Sequence, residues 1–313
     1  MKKTNVILTT SLLAWAGLRA KTGTSVTSTL IEQGLRVIKP FPALTPTTYQ
    51  AALHKSNEPY HLPTYAQKMG FKPWNERGDV FCITKYASSK KIVFFLHGGA
   101  YWEQPLYFHF ATLKKLACKL HAQVVLPIYP KAPNADAIVA NQMVLEVYQE
   151  LFRTVAPRNI FVMGDSAGGG LALAMLEQVT KLQLPQPKLA ILFSPWLDVA
   201  TSDPRISEIQ PNDHLLQATD LRLRGQIYAG KLAKTNPLVS PLYGKLTGLV
   251  PIYVFTGTHD ILYFDALRLA QLAKVQKLSV KTLIYPKMDH DFILYPIPEA
   301  RQALNRVVKI VNS

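Results

Sequence analysis

From Asp79 onward the chain alternates short apolar runs with longer segments of helical period. Ile92-Val93-Phe94-Phe95-Leu96 and Leu189-Ala190-Ile191-Leu192-Phe193 carry no polar interruption, which predicts strands buried on both faces. Further strands are expected at 80–86, 124–128, 159–163, 251–256 and 280–285. Helices are expected at 107–121, 135–152, 167–181, 264–277 and 299–311. Such alternation predicts an α/β fold, a mostly parallel sheet with helices on both faces. The segment 201–246 interrupts it with polar, loop-rich sequence and one helix at 219–228.

Before Asp79 no strand pattern appears. Leu30, Ile31, Leu35 and Ile38 at helical spacing predict a helix over 29–38, stopped by the Pro-rich stretch 40–46. Two shorter helices are expected at 47–53 and 62–69. Residues 21–78 therefore read as a helical N-terminal region, and 79–313 as the alternating core with the interrupting segment set within it. At the very start, Lys2-Lys3 precede a stretch from Val6 to Leu18 that is apolar except for Thr9, Thr10 and Ser11 and contains Ala14-Trp15-Ala16. This fits an export signal or anchor over 1–20, and it also fits an amphipathic first helix. The stretch is shorter and richer in Thr than the ~20 apolar residues of a membrane span. The compartment, cytoplasm or beyond it, stays open.

Composition narrows the classes. With 313 residues, 48% hydrophobic and 18% charged, the chain has the material for a packed core and lacks the signature of disorder. Lys and Arg number 35 against 20 Asp and Glu, a formal +15. The basic residues are scattered in pairs such as Lys90-Lys91 and Lys114-Lys115, without the clusters or motifs of nucleic-acid binders. No nucleic-acid partner is expected. A solvated basic surface and a peripheral attraction to anionic lipid or cell-wall polymer remain as readings. Cys82 and Cys118 form no Cys-x-x-Cys pair, so neither a disulfide framework nor a Cys-rich metal site is expected.

The chemistry gathers at strand ends, where sites form in open α/β sheets. One strand runs into His97-Gly98-Gly99-Ala100-Tyr101-Trp102. Another runs into Gly164-Asp165-Ser166-Ala167-Gly168-Gly169-Gly170. The last two run into Gly257-Thr258-His259-Asp260 and Pro286-Lys287-Met288-Asp289-His290-Asp291. Gly-x-Ser-x-Gly between a buried strand and a helix fits a nucleophile elbow, a turn so tight that side chains two residues either side would collide. Ser166 is then the candidate nucleophile. A hydroxyl needs a base, and His290 stands in the right chain order for it, with His97 bracing the Gly loop and His259 pointing away. Asp260 is the candidate acid on His290 Nδ1, and Asp265, Asp289 and Asp291 are rivals. The N–H groups of Gly98, Gly99, Ala100 and Ala167 would form the oxyanion hole.

These segments resemble the hormone-sensitive-lipase-like branch of the α/β hydrolases, which includes bacterial esterases and steryl-acetyl-hydrolase-like proteins. The matching residues also include Tyr129-Pro130-Lys131-Ala132-Pro133, Ser194-Pro195-Trp196-Leu197-Asp198 and Ser240-Pro241-Leu242, in order over about 79–313. Ala100 replaces the third Gly of the usual loop but keeps its N–H. The stretch Asp260-Ile261-Leu262-Tyr263-Phe264-Asp265 is one residue longer than the usual Asp-Pro-Leu-x-Asp. The resemblance implies a serine carboxylesterase with no cofactor and no metal, acting on a small-molecule acyl ester, with a helical cap built from residues 21–78 and an insertion near 199–240. Amide or formamide hydrolysis, acyl transfer and a non-catalytic ligand-binding role are the alternatives. Phe41, Phe71, Trp74, Tyr101 and Trp102 would either narrow the acyl pocket towards short chains or serve the cap's own packing. Activity should fall in acid as His290 titrates near ~6.5, moved by its partner carboxylate.

Overall fold

The computed structural model describes residues 23–38, 43–84, 86 and 88–313. The segment 1–20 and Phe41 lie outside the described residues. In chain order the elements begin with α1 (Val26–Ile38), α2 (Pro46–Lys55), α3 (Thr64–Lys68), β1 (Phe71–Pro73), β2 (Val80–Ile83) and β3 (Ile92–Leu96). There follow α4 (Tyr107–Leu120), β4 (Gln123–Pro127), α5 (Ala137–Thr154), β5 (Ile160–Asp165), α6 (Ser166–Lys181) and β6 (Leu189–Phe193). The chain ends with α7 (Ile206–Ile209), α8 (Ala218–Ala229), β7 (Ile252–Gly257), α9 (Tyr263–Val275), β8 (Val280–Tyr285) and α10 (Pro298–Asn312).

The eight strands form one sheet in the order β1-β2-β4-β3-β5-β6-β7-β8. β1 and β2 are antiparallel to their neighbours, and every pair from β4 across to β8 is parallel. The unbroken apolar runs follow from burial on both faces. Phe94, Leu96, Val162 and Leu192 point into one core with α5, α6 and α9, while Val93, Phe95, Phe161 and Ile191 point into the other with α4 and α10. The chain leaves β3 for β4 on one side and returns to β5 on the other. The loops after β3 and β5 therefore part at this switch point and open a crevice.

Two expectations change. The strand at 80–86 stops at Ile83, and β1 appears in a region that reads as wholly helical. β1 has three residues, two of them exposed, and pairs through Phe71↔Ile83. Three residues are too few to leave a period-two signal. A short second helix, α7, joins α8 in the interrupting segment. Among the described residues no helix is long and apolar enough to cross a membrane.

Candidate active site

The β5–α6 junction brings Ser166 up from the sheet. Its φ is +50°, a left-handed conformation that costs a non-Gly residue ~1–2 kcal/mol, so its surroundings must hold it. They do so by close contact. A Cβ on Gly164 would stand 2.4 Å from the Gly168 carbonyl oxygen, and one on Gly168 would stand 2.0 Å from that of Leu96. Only bare glycines let α6 start this close to the end of β3.

Ser166 Oγ lies 2.9 Å from His290 Nε2, and His290 Nδ1 lies 3.0 Å from Asp260 Oδ2. Asp260 is fully buried after β7, and its other oxygen accepts the Leu262 N–H at 2.8 Å. The His259 N–H donates to the Met288 carbonyl at 3.0 Å, tying the end of β7 to the loop that carries His290. The rivals to Asp260 go elsewhere. Asp265 accepts the N–H groups of Leu197 and Asp198 at 2.8 and 2.9 Å, and Asp289 lies 3.2 Å from His214 Nδ1. Asp291 does double back onto His290, reaching Nε2 at 3.1 Å and not Nδ1.

The loop after β3 lies beside the serine. Gly99, Ala100 and Tyr101 all have positive φ, +110°, +53° and +65°. Backbone bonds from Trp102 and Glu103 N–H to the Gly99 carbonyl, at 2.9 and 2.8 Å, close the turn. Tyr101 is buried, stacked on Tyr228 with ring centroids 3.6 Å apart. His97 does brace the loop. Its ring stacks on Tyr129 at 4.7 Å, its Nδ1–H donates to the Gly98 carbonyl at 2.7 Å, and the Tyr129 hydroxyl donates to the His97 carbonyl at 2.8 Å. Buried Lys131 donates to the Tyr129 carbonyl, and burial pushes its ammonium well below the usual lysine range. Burial and the nearby Lys131 likewise push His97 down, so it stays neutral. Gly98 packs over Asp165, with a Cβ there only 2.3 Å from Asp165 Oδ2. Ala167 is buried in the first turn of α6, where helix N–H groups lack helical partners.

Burial alone would lower the His290 pKa. The carboxylates of Asp291 and Asp260 outweigh it and hold the imidazole well above its ordinary value. Burial raises Asp291 to about 7, against the opposing pull of His290. Asp213, whose oxygens accept the N–H groups of Leu215, Leu216 and Ile261, is raised to about 6 by burial and by Asp260. Beneath the loop, His109 Nε2 meets Asp165 Oδ2 at 3.0 Å. That carboxylate outweighs burial and raises the His109 pKa. Neither this pair nor the Nε2 contact of Asp291 follows from sequence spacing. The one sequence trace of Asp291 is its place beside His290.

Two cavities open beside His290, and both are lined by Gly99, Glu103, Leu215 and Asp291. The larger, about 950 Å³, has Gly99, Ala100, Ser166 and His290 in its floor and residues of 207–224 in its walls. The smaller, about 140 Å³, is lined mostly by apolar groups, among them Leu35, Leu106, Phe108, Leu294 and Tyr295. Neither is lined by Phe71, Trp74, Tyr101 or Trp102. Phe71 packs edge-on against Phe110 at 4.9 Å, and the Trp102 indole donates to the Arg224 carbonyl at 3.4 Å. Phe71 and Tyr101 are buried in the core, Trp74 packs half-buried against it, and Trp102 also lines a third cavity of about 190 Å³ with Leu44, Thr48 and Arg224.

Residues 93–294 match the family model described as alpha/beta hydrolase fold. An esterase of Acinetobacter venetianus is 32% identical over 74% of this chain and 78% of its own length. A triacylglycerol lipase of Mycobacterium tuberculosis is 36% identical over 68% of this chain and 44% of that longer protein. A hormone-sensitive lipase structure from a metagenome library superposes with a TM-score of 0.77 at 25% identity, covering 90% of this chain and 96% of that one. The chain belongs to the α/β-hydrolase family, in the hormone-sensitive-lipase-like branch of esterases and lipases.

The brace beneath the Gly loop can be tested directly. Tyr129→Phe removes the hydroxyl donor to the His97 carbonyl and should lower the unfolding free energy by ~1–2 kcal/mol. The expected readout is a lower urea midpoint at unchanged slope. An unchanged midpoint would show that the loop holds its shape without this bond.

Proposed function

We propose that this chain is a serine carboxylesterase for short- to medium-chain acyl esters, with Ser166 as nucleophile, His290 as base and Asp260 as the orienting acid. The observation that carries this reading is the 2.9 Å approach of Ser166 Oγ to His290 Nε2, with Asp260 on the far nitrogen. Neutral Nε2 takes the hydroxyl proton while Oγ bonds to the ester carbonyl carbon, giving a tetrahedral oxyanion. The N–H groups of Gly98, Gly99, Ala100 and Ala167 receive that charge. Imidazolium then returns the proton to the leaving alkoxide as the ester C–O bond breaks. Water repeats the sequence on the acyl-enzyme and releases the acid. Asp260 keeps the Nδ1 proton in place and stabilises the imidazolium.

The larger cavity is the place for the alcohol portion and the smaller, apolar one for the acyl chain. Walls drawn from Ala43 and from 207–224 support a cap made of the N-terminal helices and the 199–240 insertion. The substrate is a small-molecule ester, and the reaction as written needs no cofactor.

Ser166→Ala and His290→Ala should each cost roughly 10⁴- to 10⁶-fold in ester turnover, because triad members act as a unit. Asp260→Asn should lose up to ~10⁴-fold through the wrong tautomer. Turnover near wild type in purified, folded Ser166→Ala would end this mechanism.

Chain length follows from the small cavity. Each methylene that fits contributes ~0.8 kcal/mol until the space is full, after which the gain reverses. On p-nitrophenyl esters, kcat/KM should peak between acetate and hexanoate and fall steeply by decanoate. A maximum at dodecanoate or longer, without detergent, would mean an open groove instead.

A further inference from the structure

We propose that Asp291 is a positioning residue that competes with Ser166 for His290 Nε2 and so sets the pH at which the base becomes free. The inference rests on the reading of Ser166 and His290 given above. Two acceptors face one nitrogen: Ser166 Oγ at 2.9 Å and Asp291 Oδ2 at 3.1 Å. Only one arrangement lets Nε2 act as a base, the one in which it carries no proton and faces the hydroxyl. The Asp291 carboxylate, at ion-pair distance from the same nitrogen, favours the opposite state, the protonated imidazolium.

The backbone makes this contact specific. Asp291 sits at φ +52°, and its N–H donates to Ser194 Oγ at 3.1 Å, which fixes the turn that folds its side chain back over the imidazole. Its side chain is only 13% exposed, so water screens the pair little. Other groups around His290 do not replace it. Asp260 holds Nδ1, and Asp213 is engaged by three backbone N–H groups. Asp165 is paired with His109, Asp289 lies against His214 with Glu32 3.8 Å from the same ring, and the Tyr295 hydroxyl donates to the His290 carbonyl. The raised pKa of His290, opposed by burial and driven first by Asp291 and then by Asp260, has the sign this contact requires.

In catalysis the proton on Nε2 must leave for solvent before Ser166 can be deprotonated. The acid limb of kcat/KM therefore lies above the ~6.5 of an ordinary imidazole. Removing the charge at Asp291 frees Nε2 at lower pH.

The test is the pH profile of kcat/KM on p-nitrophenyl butyrate for wild type, Asp291→Asn and Asp291→Gly, each normalised to its own plateau. Asn and Gly both accept a left-handed backbone, so neither substitution strains the turn. Both variants should move the acid midpoint down by at least about one pH unit, close to tenfold more relative activity at pH 6. A purely structural role would lower the plateau and leave the midpoint where it was. Superimposable normalised profiles would overturn the proposal. Ser166→Ala, assayed alongside, separates the two claims. If it is inactive and the profiles coincide, only the role of Asp291 falls. If it retains turnover, the nucleophile assignment falls and takes this inference with it.

Discussion

The arrangement depends on how closely α6 can begin beneath the end of β3. The space between Gly168 and the Leu96 carbonyl would leave a Cβ only 2.0 Å from that oxygen. Because that position is bare, the helix can start immediately after β5, and Ser166 is forced into its left-handed conformation with Oγ raised towards His290. The same approach sets the Gly98–Ala100 loop beside the serine, since that loop continues directly from Leu96. Strain at one residue is thus held by packing at two strand ends. The loop is locked in turn by Tyr129, His97 and the Tyr101–Tyr228 stack.

The electrostatics of the interior oppose those of the whole chain. The formal charge is +15, yet among the described residues the buried Asp, Glu, Lys and Arg side chains are mostly acidic: Asp165, Asp198, Asp203, Asp213, Asp260, Asp265 and Asp289, against Lys131 and Arg224. The basic excess is carried largely at the surface, while the imidazole at the centre of the site is ringed by carboxylates. That local sign governs His290 far more than net charge can, because charges separated by solvent are screened within about 10 Å and buried neighbours are not. It explains why this imidazole is driven up in spite of burial.

Much of this was legible in the sequence. Unbroken apolar runs mark β3 and β6, since burial on both faces removes any alternation. The residues at the strand ends named Ser166, Asp260 and His290 because parallel strands all deliver their C-terminal ends to one edge of the sheet. What escaped depends on backbone detail that spacing does not carry. β1 is too short for a pattern. As the residue next to His290, Asp291 must fold back to reach the imidazole, and its positive φ lets it do so. The aromatic residues at 71, 74, 101 and 102 could line a pocket or fill a core. Composition does not say which way a ring points: Phe71 and Tyr101 go into the core, Trp74 packs against its edge, and Trp102 borders a separate cavity.

The central claim is that Ser166 is activated by its neighbours. Reaction of the folded protein with a fluorophosphonate, followed by peptide mass mapping, tests this without any assumption about the substrate. The account predicts a single phosphonyl adduct on the peptide containing Ser166, formed rapidly and abolished by His290→Ala. No adduct on the folded protein, or one on another serine with Ser166 unmodified, would contradict it.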